Sequence, residues 1–517
     1  MIYDYVIVGG GSAGSVLATR LTEDPDKSVL LLEAGPDYVG IDQLPESVKQ
    51  GNNPWISAYG PDAHSWNYEA VAREGKTPFV VPRGKVTGGS SAINGQIFFR
   101  GVPDDYDEWA EQGNSGWSFQ ECLPYFRKSE TDLDFGGDDF HGSEGPIPVR
   151  RYGKDEVIPT AKAFWDACIA MGFPEYLDSN HPDSTGISPR PMNNIDGVRM
   201  STALTYLGLA RHRLNLTIRG NILVRKVLFE EKTAVGVEAE SDGETFNVYA
   251  KEVVLCGGAI NTPQTMMLSG IGPSEHLAQL GIDIIHEAQG VGENLRDHPS
   301  IFMPFLANLD APDAFTPAIQ VGMRYTTPGS ELHNDMTMAP LLMTSEHRPP
   351  RFAVGVDDAA FSGFACALQK ALTSGTIKLV SSDPKDYPII NYNYLSDPVD
   401  IRKMREAVRL ANQIAERPEF ENILIERLEP SEDILNSDDL LDEWILNNVT
   451  TQHHSSGTCK MGPISDPTAV VDPKGLVHGV HNLRIVDASI MPDVIRANTN
   501  STTIMMAERI ADWMRED

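Results

Sequence analysis

The sequence predicts an α/β protein that begins with a Rossmann-like βαβ unit, and three observations predict it. The apolar run Tyr5-Val-Ile-Val8 feeds the triplet Gly9-x-Gly11-x-x-Gly14. A helical stretch follows through Leu21, and after Pro25 and Asp26 a second buried strand, Val29-Leu-Leu-Leu32, ends on Glu33.

Each part has a physical task in holding a dinucleotide. Gly9 permits the tight turn, Gly11 lets the backbone approach a pyrophosphate, and Gly14 lets helix and strand pack closely. Ser12 and Ala13 stand at the start of the helix, where free N–H groups face the phosphates. Glu33 lies about 20 residues beyond the triplet, the place from which a carboxylate accepts hydrogen bonds from a ribose diol. The continuation Glu33-Ala34-Gly35 offers no basic residue to a 2′-phosphate, which favours FAD or NAD over NADP. No second triplet follows: Gly290-Val-Gly292 lacks its third glycine and reads as a turn. One dinucleotide is therefore expected, without the redox-active cysteine pair of a disulfide reductase.

The totals narrow the class further. At 517 residues and 56.7 kDa the chain is expected to hold two or three structural units. A hydrophobic share of 41%, a charged share of 22% and a mean hydropathy of -0.26 are those of an ordinary globular protein. Acidic residues outnumber Lys and Arg by 73 to 42, a net charge of -31 that repels phosphate backbones and anionic lipid, so neither nucleic acid nor membrane is expected as a partner. Five cysteines without paired spacing suggest neither a disulfide framework nor a metal site, and a cytoplasmic location fits them. The first strand begins too near Met1 for a leader to precede it, and no apolar run reaches the ~18 to 20 residues of a membrane span.

The segment Arg83-Gly-Lys-Val-Thr-Gly-Gly-Ser-Ser-Ala-Ile-Asn94-Gly95 is too polar and glycine-rich for the interior of a helix or strand. Further on stand Gly258-Ala-Ile-Asn-Thr-Pro-Gln-Thr-Met-Met-Leu-Ser-Gly-Ile-Gly272, His453-His454-Ser-Ser-Gly-Thr-Cys-Lys-Met-Gly462, and Asn482-Leu-Arg-Ile-Val-Asp-Ala-Ser489 with the stretch to Glu508. With the N-terminal motif, these segments resemble the glucose-methanol-choline (GMC) oxidoreductase family. Thr87 and Thr265 stand where that family usually carries an aliphatic residue.

The resemblance implies FAD as the dinucleotide. It places Gly89, Asn94 and Gly95 of the loop, Gly258, Asp487, Ala488 and Thr499 against FAD, and Val224 at the adenine through its backbone. Members that tether the flavin covalently use a His in the loop where this chain has Ile93, so the FAD is expected to be non-covalent. The resemblance also implies a discontinuous FAD-binding domain, residues 1–148, 189–299 and 452–517. A substrate-binding domain, residues 149–188 and 300–451, is then built on an antiparallel sheet flanked by helices. Locally, Gly375-Thr-Ile-Lys-Leu-Val380 reads as a strand, and Asp397-Pro398 starts a helix with Ile401, Met404, Val408, Ala411 and Ala415 on one face. Asn498-Thr-Asn-Ser-Thr is rich in helix-capping residues ahead of a helix to Glu516, whose positive end would face the flavin pyrimidine ring.

Oxidising an alcohol removes a hydride and a proton, and flavin N5 takes only the hydride. His454 stands where the family has its catalytic His, and the second position, which takes His or Asn, is Asn498. The expected roles are His454 as general base and Asn498 as hydrogen-bond donor to the developing alkoxide. His453 reads as packing or outer-shell. The substrate expected is a small, neutral primary alcohol, aromatic and heteroaromatic ones among the candidates, with O2 or an electron carrier reoxidising the flavin. Choline or another amino alcohol is the alternative, but choline-oxidising relatives place a Glu beside Asp297-His298-Pro299 where this chain has Ser300. An alternative of another class is a hydroxynitrile lyase, which keeps FAD redox-silent.

Overall fold

The computed structural model describes residues 2–52, 64–308, 317–343 and 360–516. Met1, residues 53–63 and Asp517 of the expected FAD-binding domain, and residues 309–316 and 344–359 of the expected substrate-binding domain, lie outside the described residues. The apolar run at the N-terminus forms the strand Ile2–Val8, whose Val6 and Ile7 are wholly buried, as befits a strand covered on both faces. It lies in a sheet with the order Leu216–Arg219, Val29–Leu32, Ile2–Val8, Glu244–Leu255, every neighbouring pair parallel. The long strand Glu244–Leu255 is shared along its length. Its first half pairs antiparallel with Thr233–Ser241, which pairs in turn with Leu223–Glu230; its end pairs parallel with Leu483–Ile485.

That last pairing joins both ends of the chain in one sheet. The first helix, Ser12–Leu21, packs on the last, Thr499–Glu516, and the two are tied by a buried ion pair. Arg20 Nη2 donates to Glu508 Oε1 at 2.7 Å and Nε to Oε2 at 2.9 Å, while Tyr206 Oη donates to the same carboxylate at 2.6 Å. Ser12 Oγ donates to Asn500 Oδ1 at 2.7 Å, so the two helix N-termini open on the same point.

The second large sheet is antiparallel, in the order Leu424–Arg427, Pro299–Ala307, Ala360–Leu368, Met336–Met343, Val321–Tyr325, Gly186–Pro189. Helix Pro159–Ala170 packs on Met336–Met343 and helix Pro398–Ala415 on Ala360–Leu368. The latter starts where expected: the Asp397 carboxylate accepts from Val399 N at 2.8 Å. Met404, Val408 and Ala411 are buried, whereas Ile401 and Ala415 are half-buried. A smaller sheet joins Tyr68–Val71 and Phe79–Val81 to Thr376–Lys378 and Ile389–Asn391, so part of the expected Gly375–Val380 strand is present. The chain is thus a mixed α/β protein with one largely parallel and one antiparallel sheet. Among the described residues, no helix is long and apolar enough to cross a membrane.

Candidate active site

A cavity of about 420 Å³ runs from the glycine-rich turn at Gly9 to the antiparallel sheet. Gly9, Gly11, Ser12, Ala13, Glu33, Ala34, Gly89, Asn94, Gly95, Val224, Gly258, His454, Asp487, Ala488, Asn498 and Thr499 all line it. Gly14 does not. A Cβ there would fall 2.0 Å from the Gly9 carbonyl oxygen, so Gly14 lets the helix close on the strand, the packing role its spacing suggests. Gly89, with φ +52°, presses its Cα side against Gly11: a Cβ on Gly89 would lie 2.6 Å from the Gly11 Cα. The loop and the nucleotide turn therefore meet backbone to backbone.

The two acidic residues of this end are held by N–H groups. Glu33 accepts from Gly10 N at 2.8 Å and Gly35 N at 2.9 Å; burial raises its pKa to about 7 against the pull of these bonds. Asp487 accepts from Gly258 N at 2.8 Å, Thr262 Oγ1 at 2.6 Å and Ser489 N at 2.7 Å, and burial raises its pKa also. Asp487 thereby fastens the start of helix Gly258–Leu268 to the strand Leu483–Ile485.

At the other end stands a pair of histidines. Strand Pro299–Ala307 pairs with Thr450–Thr451, Pro299 opposite Thr451, and this register carries His298 beside His454. Asp297 fixes both backbones: its Oδ1 accepts from His298 N at 2.7 Å and His454 N at 2.9 Å, and its Oδ2 accepts from Tyr394 Oη at 2.9 Å and from Thr451 Oγ1. The rings meet at Nδ1, 2.8 Å apart, and His298 Nε2 lies 2.8 Å from the Ile495 carbonyl oxygen. A carbonyl only accepts, so His298 carries its proton on Nε2 and presents Nδ1 as an acceptor. His454 must then donate from Nδ1, which leaves a lone pair on its Nε2. Asn498 Nδ2 donates to that atom at 2.9 Å.

Both rings are kept neutral. Burial lowers the His298 pKa to about 4, and burial together with the neighbouring His298, His453 and Arg83 holds His454 well below the usual imidazole value. His454 is thus an uncharged base with its free electron pair on the nitrogen that faces Asn498.

Several lining residues carried no signal read from the sequence. Trp66, Tyr68 and Tyr387 arrive with the small sheet, and Tyr68 Oη donates to Asn261 Oδ1. Arg83 donates to Ser455 Oγ at 2.7 Å, and Phe302, Thr337 and Gln369 come from the antiparallel sheet beside Ser300, which the sequence had marked. His298 sits inside a motif singled out only for the residue that follows it. His453, expected to pack or to support the site from behind, lines the cavity beside His454, with a φ of +67°.

A dinucleotide turn, a glycine-rich loop and a neutral histidine beside an amide, all on one cavity, define an oxidoreductase of the flavoprotein class. The chain belongs to the GMC oxidoreductase family: residues 3–300 match its N-terminal part and residues 371–507 its C-terminal part. It is 36% identical over 533 residues to an oxygen-dependent choline dehydrogenase of Photobacterium profundum, covering 99% of this chain and 92% of that one. It is 38% identical over 555 residues to the oxygen-dependent choline dehydrogenase of Escherichia coli K12, covering 100% and 96%. Among solved structures, a pyridoxine 4-oxidase from Mesorbium loti superposes with a TM-score of 0.91 at 30% identity, covering 100% of this chain and 99% of that one. The protein is accordingly a flavin-dependent oxidoreductase acting on CH–OH donors, and its cofactor is FAD.

The residues present fit that cofactor. Two helix N-termini converge on the cavity through Ser12 and Asn500, and Asn500 Nδ2 is buried there without a partner among the described residues, a donor awaiting an acceptor. The close contact of Gly11 with Gly89 leaves backbone, not side chains, to meet a pyrophosphate.

Proposed function

We propose that the protein oxidises a primary alcohol to its aldehyde, with His454 as general base and Asn498 as hydrogen-bond donor to the substrate oxygen. The observation that carries this reading is the lone pair on His454 Nε2, set by the contact of its Nδ1 with His298 and of His298 with the Ile495 carbonyl. The hydroxyl proton passes to Nε2, and the oxygen left behind takes the Asn498 N–H that now bonds the ring. Asp297 holds both histidine backbones without a hydrogen bond to either ring. FAD, when bound, supplies the hydride acceptor.

The cofactor contacts proposed are those of Gly9, Gly11, Ser12, Ala13, Glu33, Ala34, Gly89, Asn94, Gly95, Val224, Gly258, Asp487, Ala488 and Thr499, with Gly14 acting through packing. Ile93 in the loop supports a non-covalent flavin; acid precipitation should leave a colourless pellet, and a yellow one overturns this. Residues 1–148, 189–299 and 452–517 are assigned to the FAD-binding domain and 149–188 with 300–451 to the substrate-binding domain. The separate parallel and antiparallel sheets support that division. A reducing, cytoplasmic compartment suits the five buried cysteines, all of them free.

Choline is the second reading, favoured by the activity of the curated relatives. Against it, Ser300 stands where the family resemblance places a Glu in choline-oxidising members. Among the described lining residues the only acids are Glu33 and Asp487, both engaged by backbone N–H groups at the nucleotide end. A quaternary ammonium would find no counter-charge. The hydroxynitrile lyase reading is not favoured by relatives and neighbours that are dehydrogenases and oxidases. A panel of alcohols, choline included, mixed with the enzyme without air tests all three: bleaching of the flavin by a primary alcohol is expected, and a flavin that no alcohol bleaches sinks the proposal. Peroxide released on readmitting air separates O2 from a carrier as oxidant.

A further inference from the structure

Each buried arginine among the described residues donates at least one guanidinium hydrogen bond, with one exception. Arg199 donates to the carbonyl oxygens of Asn94, Val48 and Ala92. Arg324 donates to Ser184 Oγ and to the carbonyl oxygens of Arg100 and Arg496, while Arg100 and Arg496 reach the carboxylates of Glu130 and Glu108. Arg190 lines the cavity, is 4% exposed, and has neither hydrogen bond nor carboxylate partner for its guanidinium among the described residues; its Nη1 is buried and unpaired.

Its position is nevertheless well fixed. Arg190 N donates to the Gln320 carbonyl oxygen at 2.8 Å, just past the strand Gly186–Pro189. The guanidinium lies 4.5 Å from the centroid of the Phe99 ring. The bare backbone of Gly322 also lies against it, where a Cβ would fall 2.2 Å from Arg190 Nη2. Arg324 lies over the same Phe99 ring at 4.0 Å, which adds positive charge and not negative. Burial brings the Arg190 pKa down to about 10, so the group is still a cation at neutral pH. A packed, desolvated cation with unused donors on a cavity wall free of carboxylates is complete only when an anion enters.

We propose that Arg190 is the anion subsite of the substrate cavity, and that the alcohol oxidised here carries a carboxylate that pairs with this guanidinium. The proposal rests on the reading of the cavity as an alcohol-oxidising site and replaces the uncharged substrate suggested by the sequence. A carboxylate is the matching anion because it brings one negative charge to one cation and accepts two parallel N–H bonds from the planar fork. Arg324 does not line the cavity and gives its donors to Ser184 and two carbonyl oxygens, so a phosphate dianion would meet a single free fork. Phe302, Ile319 and Leu341 line the same cavity and suit a hydrocarbon body between carboxylate and hydroxyl.

The test compares 4-(hydroxymethyl)benzoate with 4-(hydroxymethyl)benzamide on the holoenzyme, followed by flavin reduction. The acid should show a KM at least about tenfold lower than the amide, and Arg190→Met should erase that ratio. Equal KM values in the wild type, or a preference that survives in Arg190→Met, overturn the proposal. Binding of 4-methylbenzoate against 4-methylbenzamide, read from the perturbed flavin spectrum, needs no oxidation and no variant. If 4-methylbenzoate binds about tenfold tighter while no alcohol bleaches the flavin, the subsite stands and the alcohol reading falls. If the two bind alike, the subsite falls.

Discussion

His454 and His141 are both buried, and their environments drive them to opposite charge states. At the cavity, His454 meets another imidazole at Nδ1 and an amide at Nε2, and its pKa is held down. At the second site, His141 Nδ1 lies 2.9 Å from Glu130 Oε1 and 3.0 Å from Asp132 Oδ2, and Nε2 lies 2.9 Å from Asp178 Oδ2. Burial alone would lower its pKa, but hydrogen bonds to Asp132, Asp178 and Glu130 raise it to about 10. Both ring nitrogens then donate, so His141 is an imidazolium in a salt cluster completed by Arg100 and Arg151. Glu130, Asp132 and His141 are close enough to bind a metal ion, which would have to displace the proton from the ring. The lesson concerns where a carboxylate is aimed. Asp297 bonds the backbone N–H groups of His298 and His454 and the hydroxyls of Tyr394 and Thr451 but neither ring, and His454 stays neutral.

The largest effects come from removing either ring. His454→Ala should slow anaerobic flavin reduction by roughly 10²- to 10⁴-fold while the protein stays folded and yellow; a rate unchanged in stopped flow rules His454 out as the base. His141→Gln should leave the chemistry of folded molecules intact and cost about 3 to 5 kcal/mol of stability, because the surrounding carboxylates lose their central cation. Thermal unfolding of the holoenzyme reads this, and an unaltered midpoint would mean that Arg100 and Arg151 neutralise the cluster by themselves.

These two sites also mark how far the sequence could be read. The turn from Gly9 to Glu33 was legible because its function lies in local spacing: strand, turn, helix and strand are contiguous, and each glycine is required by its own backbone. His454 and Asn498 were legible through segments that resemble a family. His298 was not, since its role exists only when Pro299 pairs with Thr451 and closes a contact between residues 156 apart. Arg190 is similar: nothing in its neighbours announces an unpaired cation, which arises where Phe99 and Gly322 are brought together by different strands and loops. Trp66 and Tyr387 likewise reach one wall only through a sheet that combines distant segments.

A smaller but sharper effect comes from making the first site resemble the second. His298→Glu would present a carboxylate to the His454 Nδ1–H, as Glu130 and Asp132 do to His141. An opposite charge at that range raises a pKa by about 1 to 3 units. His454 would then be protonated, and inactive as a base, at a higher pH than in the wild type. The acid limb of kcat/KM should move upward, with the loss greatest near pH 6 and least at alkaline pH. An acid limb that stays in place would show that His298 does not govern the charge of His454.

The smallest effect is on the pH dependence of stability, where the two sites act at opposite ends. His298 is a weaker base folded than unfolded, so the stability tied to its neutral form is present above the ordinary imidazole pKa of about 6.5 and is lost as pH falls through about 4. His141 is a stronger base folded than unfolded, so its contribution is full below about 6.5 and is lost as pH rises through about 10. Subtracting variant from wild-type unfolding curves isolates each histidine from the many other carboxylates and amines that titrate. The His298→Phe difference should change only on the acid side, between pH 6.5 and about 4, and the His141→Gln difference only on the alkaline side, between 6.5 and about 10. If both differences changed in the same window, the two rings would share one charge state, and the distinction between a neutral base and a structural cation would fail.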